Sequence, residues 1–173
     1  MTITISLIDA DQALAARPAL CRVLVDCVED GASLGFMSPY GLAEAAQFWD
    51  GTTSAVADGG TLLITAAVDG IVVGTVQVGI RQMPNQQHRG DLKKLLVSPS
   101  ARGLGLGRQL MEAAERAAAA RGKTLLVLDT ATGSPAEAIY PRLGWTRVGV
   151  IPDYALFPDG RFCDTTLFYK RIG

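Results

Sequence analysis

A run of alternating glycines, Arg102–Gly107, carries the clearest chemical signal in the sequence. It follows a strand-like segment and precedes a helix-like one, so backbone N–H groups that the helix leaves free would point at one spot. The positive end of the helix dipole lies at that spot as well. Glycines leave room for a ligand there, and Arg102 and Arg108 can add positive charge at the rim. The run therefore predicts a phosphate-binding loop.

A glycine-rich loop before a helix can have three other uses. A nucleoside triphosphate loop would end in Gly-Lys-Ser/Thr, which is absent here. A dinucleotide-binding loop needs G-x-G-x-x-G, and Arg108 stands where the third glycine belongs. The run also lies in the middle of the chain, after an apparent antiparallel meander, which does not suit an opening βαβ unit. A purely structural turn stays open, because a short glycine motif is a weak signal by itself.

The histidine and cysteine content gives little support to other chemistries. The single histidine, His88, lies in a polar stretch, whereas a metal site or a catalytic triad needs an imidazole with partner ligands or a carboxylate. The three cysteines, Cys21, Cys27 and Cys163, form no C-x-x-C pattern and are predicted to be buried thiols in a reducing compartment. We expect no metal.

Length and composition predict one folded domain over residues 1–173. Hydrophobic residues make up 49% of the chain and charged residues 19%, enough apolar material for a core. The formal charge of −1, from 16 basic and 17 acidic residues, gives no net attraction to nucleic acid or to an anionic membrane. No signal peptide or roughly 20-residue apolar segment is evident. We expect a cytoplasmic protein.

Hydrophobic periodicity and turn signals predict a mixed α/β order of elements. The pair Asp69-Gly70 predicts a tight hairpin. Ser134 and Glu137, with a proline between them, resemble a capping box that starts the last helix, and Pro18 predicts a kink or a new start in the first. Strands are predicted over residues 2–8, 61–68, 71–81, 91–97, 124–129, 145–150 and 165–170, and helices over segments that include residues 20–28, 42–49, 108–121 and 135–143.

Two regions together resemble the GNAT superfamily of N-acetyltransferases. The glycine run is similar to its R/Q-x-x-G-x-G/A signature for the pyrophosphate of acetyl-CoA, and 136–145 is similar to its A-x-x-(F/Y)-Y-x-x-x-G-(F/W) segment. The resemblance implies a GNAT fold: a mixed, centrally twisted sheet of about seven strands, flanked by about four helices and split between strands 4 and 5. It implies acetyl-CoA as co-substrate, bound by Leu95, Val97, Arg102, Gly103, Leu104, Gly105, Leu106, Gly107, Arg108 and Ser134.

A closer likeness is to the tabtoxin-resistance acetyltransferases of pseudomonads. The likeness runs nearly from end to end, and the segments that carry it are 31–37, 84–85, 94–95, 98–110, 128–130, 133–134, 146–149 and 158–161. It implies toxin or antibiotic resistance, through acetylation of a small amino-acid-like amine such as tabtoxinine-β-lactam. A CoA-binding module without turnover and an acetyltransferase for protein or peptide amines stay open. So does a homodimer.

The resemblance also implies roles for three side chains in a direct attack of the amine on the thioester. It places the pantetheine arm between strands 91–97 and 124–129, with the backbone N–H near Val97 facing the thioester oxygen. Asp129 or Asp91 would accept the amine proton, Asp91 standing where the related enzymes have a longer glutamate. Tyr140 would be the acid, because a phenol can protonate a thiolate. Structural roles for all three, as caps or packed side chains, stay open.

Overall fold

The computed structural model describes all residues from Met1 to Gly173. Two short 3₁₀ turns, Pro84–Gln86 and Pro99–Ala101, accompany four helices and seven strands. The helices are α1 (Ala10–Glu29), α2 (Leu42–Ala57), α3 (Leu106–Ala120) and α4 (Ile139–Arg142). The strands are β1 (Ile3–Ile8), β2 (Thr61–Val68), β3 (Ile71–Gly79), β4 (Arg89–Val97), β5 (Leu125–Ala131), β6 (Thr146–Leu156) and β7 (Phe162–Arg171).

All seven strands form one sheet in the order β1-β2-β3-β4-β5-β7-β6. Only β4 and β5 are parallel neighbours. The predicted hairpin between β2 and β3 is confirmed, and both of its turn residues, Asp69 (φ 49°) and Gly70 (φ 82°), take the positive φ that a tight primed turn requires. The mixed α/β fold with seven strands and four helices is confirmed.

Helices cover both faces of the sheet and give two apolar cores. On one face α1 and α2 pack on the sheet through side chains that include Leu24, Trp49 and Leu63. On the other face α3 packs through side chains that include Leu110 and Met111. No helix has the length and apolar character needed to cross a membrane. The central strands of the sheet thus lie between two helical layers.

The first helix is continuous, although Pro18 lies inside it. Asp9 caps its start, because the Asp9 carboxylate accepts from the Gln12 N–H at 2.8 Å and the Gln12 side chain accepts from the Asp9 N–H at 3.0 Å. Beyond the proline a fully buried face packs on the sheet, and this burial keeps the helix intact despite the hydrogen bond that proline removes. A break or second start at Pro18 is therefore not observed.

The last predicted helix is much shorter than residues 135–143. Glu137 and Ile139 donate their N–H groups to the carbonyls three residues before them, which gives turns, and only Ile139–Arg142 is helical. Pro141 explains the difference, because it lacks the N–H that a helix would direct to the carbonyl of Glu137. Ser134 Oγ does accept from the Glu137 N–H at 3.2 Å, so the capping pair stabilises a turn.

Candidate active site

The sheet opens between β4 and β5. Their pairing covers three residue pairs, Arg89 to Asp91 with Leu125 to Val127, and the strands then diverge. A cavity of about 890 Å³ lies at this split. Its lining comes from the end of α1 and the segment after it, from β4 and β5, from the glycine run and from the segment around α4. The split between strands 4 and 5 that the sequence predicted is therefore present.

The charge of this cavity is predominantly positive. Five cationic side chains line it against two carboxylates, Asp30 and Asp129. Asp30 is already neutralised, because its Oδ2 lies 2.7 Å from Nη1 of Arg102. The cations are Lys93, Lys94, Arg102, Arg108 and Arg142. A ligand with several phosphate groups fits this balance.

The glycine run lies at the wall of the cavity and leads into α3. Gly105 is the N-cap of α3 in a left-handed conformation (φ 71°), and Gly103 is left-handed as well (φ 81°). A Cβ added at either glycine would meet nothing within 4 Å, because the space beside them is cavity. Helix α3 starts at Leu106, two residues earlier than the sequence suggested, so the free N–H groups of its first turn belong to the run itself.

The residues of the run divide into two groups. Gly103, Gly105, Leu106 and Gly107 line the cavity together with both arginines. Leu104 does not, since it packs against the core beneath α3. Arg108 pairs with Glu112 one helical turn further on, at 2.7 Å.

The backbone of Val97 faces the split. The N–H of Ser98 donates to the carbonyl of Val73 in β3 at 2.8 Å, and successive N–H groups in a strand point to opposite sides. Val97 therefore directs its N–H away from β3, into the region where β5 no longer pairs with β4. Leu95 and Ser134 line the same cavity. The resemblance to the GNAT superfamily implied an oxyanion donor at this position.

Tyr140 and Asp129 are brought together in the cavity. Tyr140 is 4% exposed, and its ring centroid lies 5.4 Å from that of Phe168. Burial raises the pKa of the Tyr140 phenol to about 12, against the lowering effect of a hydrogen bond with Thr130, while the charge of Asp129 raises it further. Asp129 itself is exposed in the cavity, two residues beyond the last residue of β5 that pairs with β4.

Asp91 is placed differently. It lies where β4 and β5 are still paired and does not line the cavity. Its carboxylate forms an ion pair with Arg89 and accepts a hydrogen bond from Gln82 at 2.7 Å. The structure therefore does not bring the two predicted carboxylates to one cavity. Asp91 lies where β4 and β5 are still paired, whereas Asp129 lies beyond the last paired residue of β5.

Sequence reasoning missed several lining residues. Arg142 is the last residue of α4 and Asp30 directly follows α1, and only the tertiary fold brings them to the cavity beside the glycine run. The sequence does contain a feature that indicates Lys94: two adjacent lysines interrupt an otherwise apolar strand at 92–97. One of a pair of neighbours in a strand usually faces the covered side of the sheet, so such a pair indicates a polar cavity. No cluster of three or more side chains suited to a metal ion is found.

The chain belongs to the Acetyltransferase (GNAT) family, which it matches over residues 16–145. The membership agrees with the split sheet and the glycine run, and it makes the chain an enzyme of the acetyltransferase class. The cavity fits acetyl-CoA, the co-substrate that the resemblance of the sequence implied, since open glycine backbone, free N–H groups and arginines meet where phosphate groups would lie.

Individual relatives agree with this class. The chain is 34% identical to an aminoglycoside N(6′)-acetyltransferase type 1 of Klebsiella aerogenes over 63% of its own length and 72% of that protein. It is 30% identical to an uncharacterised N-acetyltransferase of Azospirillum brasilense over 64% of its own length and 65% of the relative, slightly less than two thirds. A phosphinothricin acetyltransferase from Sinorhizobium meliloti in complex with acetyl-CoA shares the fold, with a TM-score of 0.82 over 100% of this chain and 90% of that chain, at 22% identity.

Proposed function

We propose that this N-acetyltransferase acetylates the amine of a small, amino-acid-like molecule, for example tabtoxinine-β-lactam, and so confers resistance to a toxin or antibiotic. One observation carries the proposal: a carboxylate, Asp129, and a buried phenol, Tyr140, line the same compact cavity at the split. The lining has no extended acidic groove, which a long basic peptide would favour. The 34% identical relative named for an aminoglycoside supports a small-molecule acceptor.

The groups that would hold acetyl-CoA are those at the positive side of the cavity. The backbone around Gly103 and Gly105 and the first turn of α3 would bind its pyrophosphate, and Arg142 adds charge nearby. Acetyl-CoA supplies the acetyl group as a reactive thioester. The N–H of Val97 is the donor best placed to polarise a carbonyl oxygen at the split, since it points away from β3.

Asp129 is the base in this proposal. Asp91 is held in an ion pair by Arg89, whereas Asp129 forms no ion pair within the chain and is exposed to the cavity. An amine with a pKa near 10 is mostly protonated at neutral pH, so a free carboxylate beside it can both attract the ammonium and take its proton. Asp91 can contribute only through its neighbours, as a positioning residue at the start of β4.

Tyr140 is the acid, and its acidity depends on Asp129. With a pKa of about 12 the phenol remains protonated at neutral pH, as an acid must be. Transfer from such a phenol to a thiolate of pKa near 8.5 would be uphill by roughly 5 kcal/mol. Burial is the main cause of the high pKa, and the negative charge of Asp129 adds to it; this added contribution disappears when Asp129 takes the amine proton. Proton uptake at Asp129 therefore makes Tyr140 a better donor at the moment a donor is needed.

CoA release during incubation with acetyl-CoA and single amines tests the proposal. The panel contains tabtoxinine-β-lactam, free amino acids, an aminoglycoside and lysine-containing peptides, and a thiol reagent reports CoA. We expect turnover with a small amino-acid-like amine, a loss of roughly 10² to 10⁴ in kcat for Asp129→Asn, and a smaller loss for Asp91→Asn. CoA release with peptides alone would reject the acceptor class. No release with any amine would favour a binding module, and an unimpaired Asp129→Asn variant would remove the base.

A further inference from the structure

A second cavity lies beside the first, on the face of the sheet that α2 covers. Its volume is about 540 Å³, and it is bounded by α2 on one side and by strands β2, β3 and β4 on the other. Lys93 and Lys94 line both cavities, and no other residue does. The two lysines therefore stand at the junction, between Asp129 in the first cavity and α2 in the second.

A buried amide in the second cavity has an unused donor. Gln77 is 2% exposed, and its Nε2 has no hydrogen-bond partner within the chain. Gln77 pairs across the strands with Lys93, and cross-strand partners carry their side chains on the same face of the sheet. A buried N–H without an acceptor costs free energy. A ligand oxygen in this cavity would remove that cost.

Lys94 is held at the junction by an unusual backbone and by aromatic rings. It occupies a bulge of β4, has a φ of 54°, and its ammonium lies 4.9 Å from the ring centroid of Phe36 and 5.7 Å from that of Phe48. Its Nζ donates one hydrogen bond, to the carbonyl of Leu34. Burial, with the charge of Lys93 added to it, lowers the pKa of Lys94, and only Asp129 raises it. This ammonium has N–H groups to spare and little negative charge around it.

We propose that the acceptor carries a carboxylate, and that Lys93, Lys94 and the side-chain amide of Gln77 bind this carboxylate at the junction of the two cavities. The inference rests on the proposed acetylation of a small amine, since the amine would face Asp129 while the carboxylate lies on the lysine side. The ammonium group of the acceptor would thus face the carboxylate of Asp129, and its carboxylate would face the two lysines. The acceptor is an amino acid or a close analogue that keeps a free carboxylate.

The positive charge of the two lysines also predicts which acceptors the site disfavours. An aminoglycoside has several ammonium groups and no carboxylate, so the two lysines would repel it. A decarboxylated amine would leave the lysines and the Gln77 amide without their partner. The carboxylate would be bound by charge-assisted hydrogen bonds, and the loss of one such group costs roughly tenfold to hundredfold in kcat/KM.

Matched pairs of acceptors test the inference. Each amino acid of a panel is compared with its own amide and with its decarboxylated amine in wild type, in Lys94→Met and in Gln77→Met. We expect wild type to prefer the carboxylate form by roughly tenfold or more, and Lys94→Met to lose that preference because methionine keeps the length and removes the charge. Arg121→Met is the matched control, since Arg121 is exposed at the end of α3 and lines neither cavity.

Gln77→Met separates a binding role from a structural one. Because Nε2 of Gln77 bonds to nothing in the free protein, its removal should leave the unfolding temperature equal or higher. The same change should reduce the preference for the carboxylate form by roughly threefold to tenfold. Calorimetry of the amino acid with CoA-bound protein gives a second readout that needs no turnover, and the affinity should fall in Lys94→Met and Gln77→Met alone.

The outcomes distinguish this inference from the proposed function. If wild type acetylates small amines but treats acid, amide and decarboxylated amine alike, the carboxylate site is overturned while the proposed acetylation stands. An equal loss on all three forms in Lys94→Met would also overturn it, because the lysine would then act on turnover in general. If wild type acetylates no small amine at all, the proposed function itself fails. A preference that disappears in Lys94→Met and persists in Arg121→Met supports the site.

Discussion

Replacement of Tyr140 by phenylalanine tests both the proposed acid and the electrostatics that surround it. The change keeps the ring, which packs at 5.4 Å from Phe168 and 6.1 Å from Trp145, and removes one buried hydroxyl. If the phenol is the acid, turnover should fall by roughly 10² to 10⁴. Acetyl-CoA binding should persist, because the change removes no charged group and leaves the glycine run and the arginines of the cavity unaltered.

The same substitution should change how stability depends on pH. Folding raises the pKa of Tyr140 from an ordinary value near 10 to about 12. A raised pKa means that the folded state favours the protonated phenol, so this contribution is fully present below pH 10 and is lost as the pH rises through 12. Two pKa units correspond to about 3 kcal/mol in total, of which roughly 1 kcal/mol is lost by pH 11.

Denaturant unfolding at pH 8 and pH 11 measures this effect. The free energy of unfolding of wild type should fall by roughly 1 kcal/mol more than that of Tyr140→Phe between the two values. Burial also raises the pKa of Tyr40 to about 12 and that of Cys27 to about 11, but both groups remain in the variant and cancel in the comparison. Equal losses in the two proteins would show that burial does not hold the proton on Tyr140, and near-normal turnover would return Tyr140 to a packing role.

Two further substitutions probe the glycine run and the closed end of the split. Gly105→Glu should abolish CoA binding in calorimetry without unfolding the protein. The control Gly122→Glu, at a similar φ of 75° and with equally open space around it, should bind CoA normally. Equal affinities of the two variants for CoA would reject the assignment of the run as a phosphate-binding loop. Gly90→Ala should lower the unfolding temperature by several degrees, because its Cβ would lie 3.0 Å from Cγ1 of Val78 and 3.1 Å from Cδ2 of Leu126, both fully buried. An unchanged unfolding temperature would show that these neighbours can move.

Local features of the fold could be predicted because they depend only on residues that are adjacent in the sequence. The hairpin at Asp69-Gly70 depends on two residues that tolerate positive φ, and the strands on either side show their own periodicity. The glycine run could be recognised for the same reason, since the groups proposed to bind phosphate are backbone groups of consecutive residues. Pro141 shows the limit of such reasoning. The Ser134–Glu137 pair predicts a helix start, but the structure has turns there and is helical only over Ile139–Arg142, because Pro141 lacks the N–H that a helix starting earlier would use.

The parts of the site that could not be predicted depend on which strands pair and where they separate. Asp91 and Asp129 look equivalent in the sequence, each at one end of a strand-like segment. Parallel pairing of β4 and β5 stops at Asp91 and Val127, so the first carboxylate stays in the closed part of the sheet and the second lies in the open part. The second cavity is even harder to predict from the sequence, because it depends on the pairing of Gln77 with Lys93 across two strands and on the helix that covers them.

A single inserted residue in β4 determines the orientation of both the Val97 N–H and Lys94. Gln77 pairs with Lys93 but Thr75 pairs with Leu96, so β4 has one residue more than β3 between these pairs. Backbone direction alternates with every residue of a strand, so the extra residue reverses the direction of all N–H groups that follow it. Without it, the N–H of Val97 would point to β3; with it, that N–H points into the split, and Lys94 takes its positive φ between the two cavities. The bulge therefore orients both the N–H proposed to face the acetyl oxygen and the ammonium proposed to bind the acceptor.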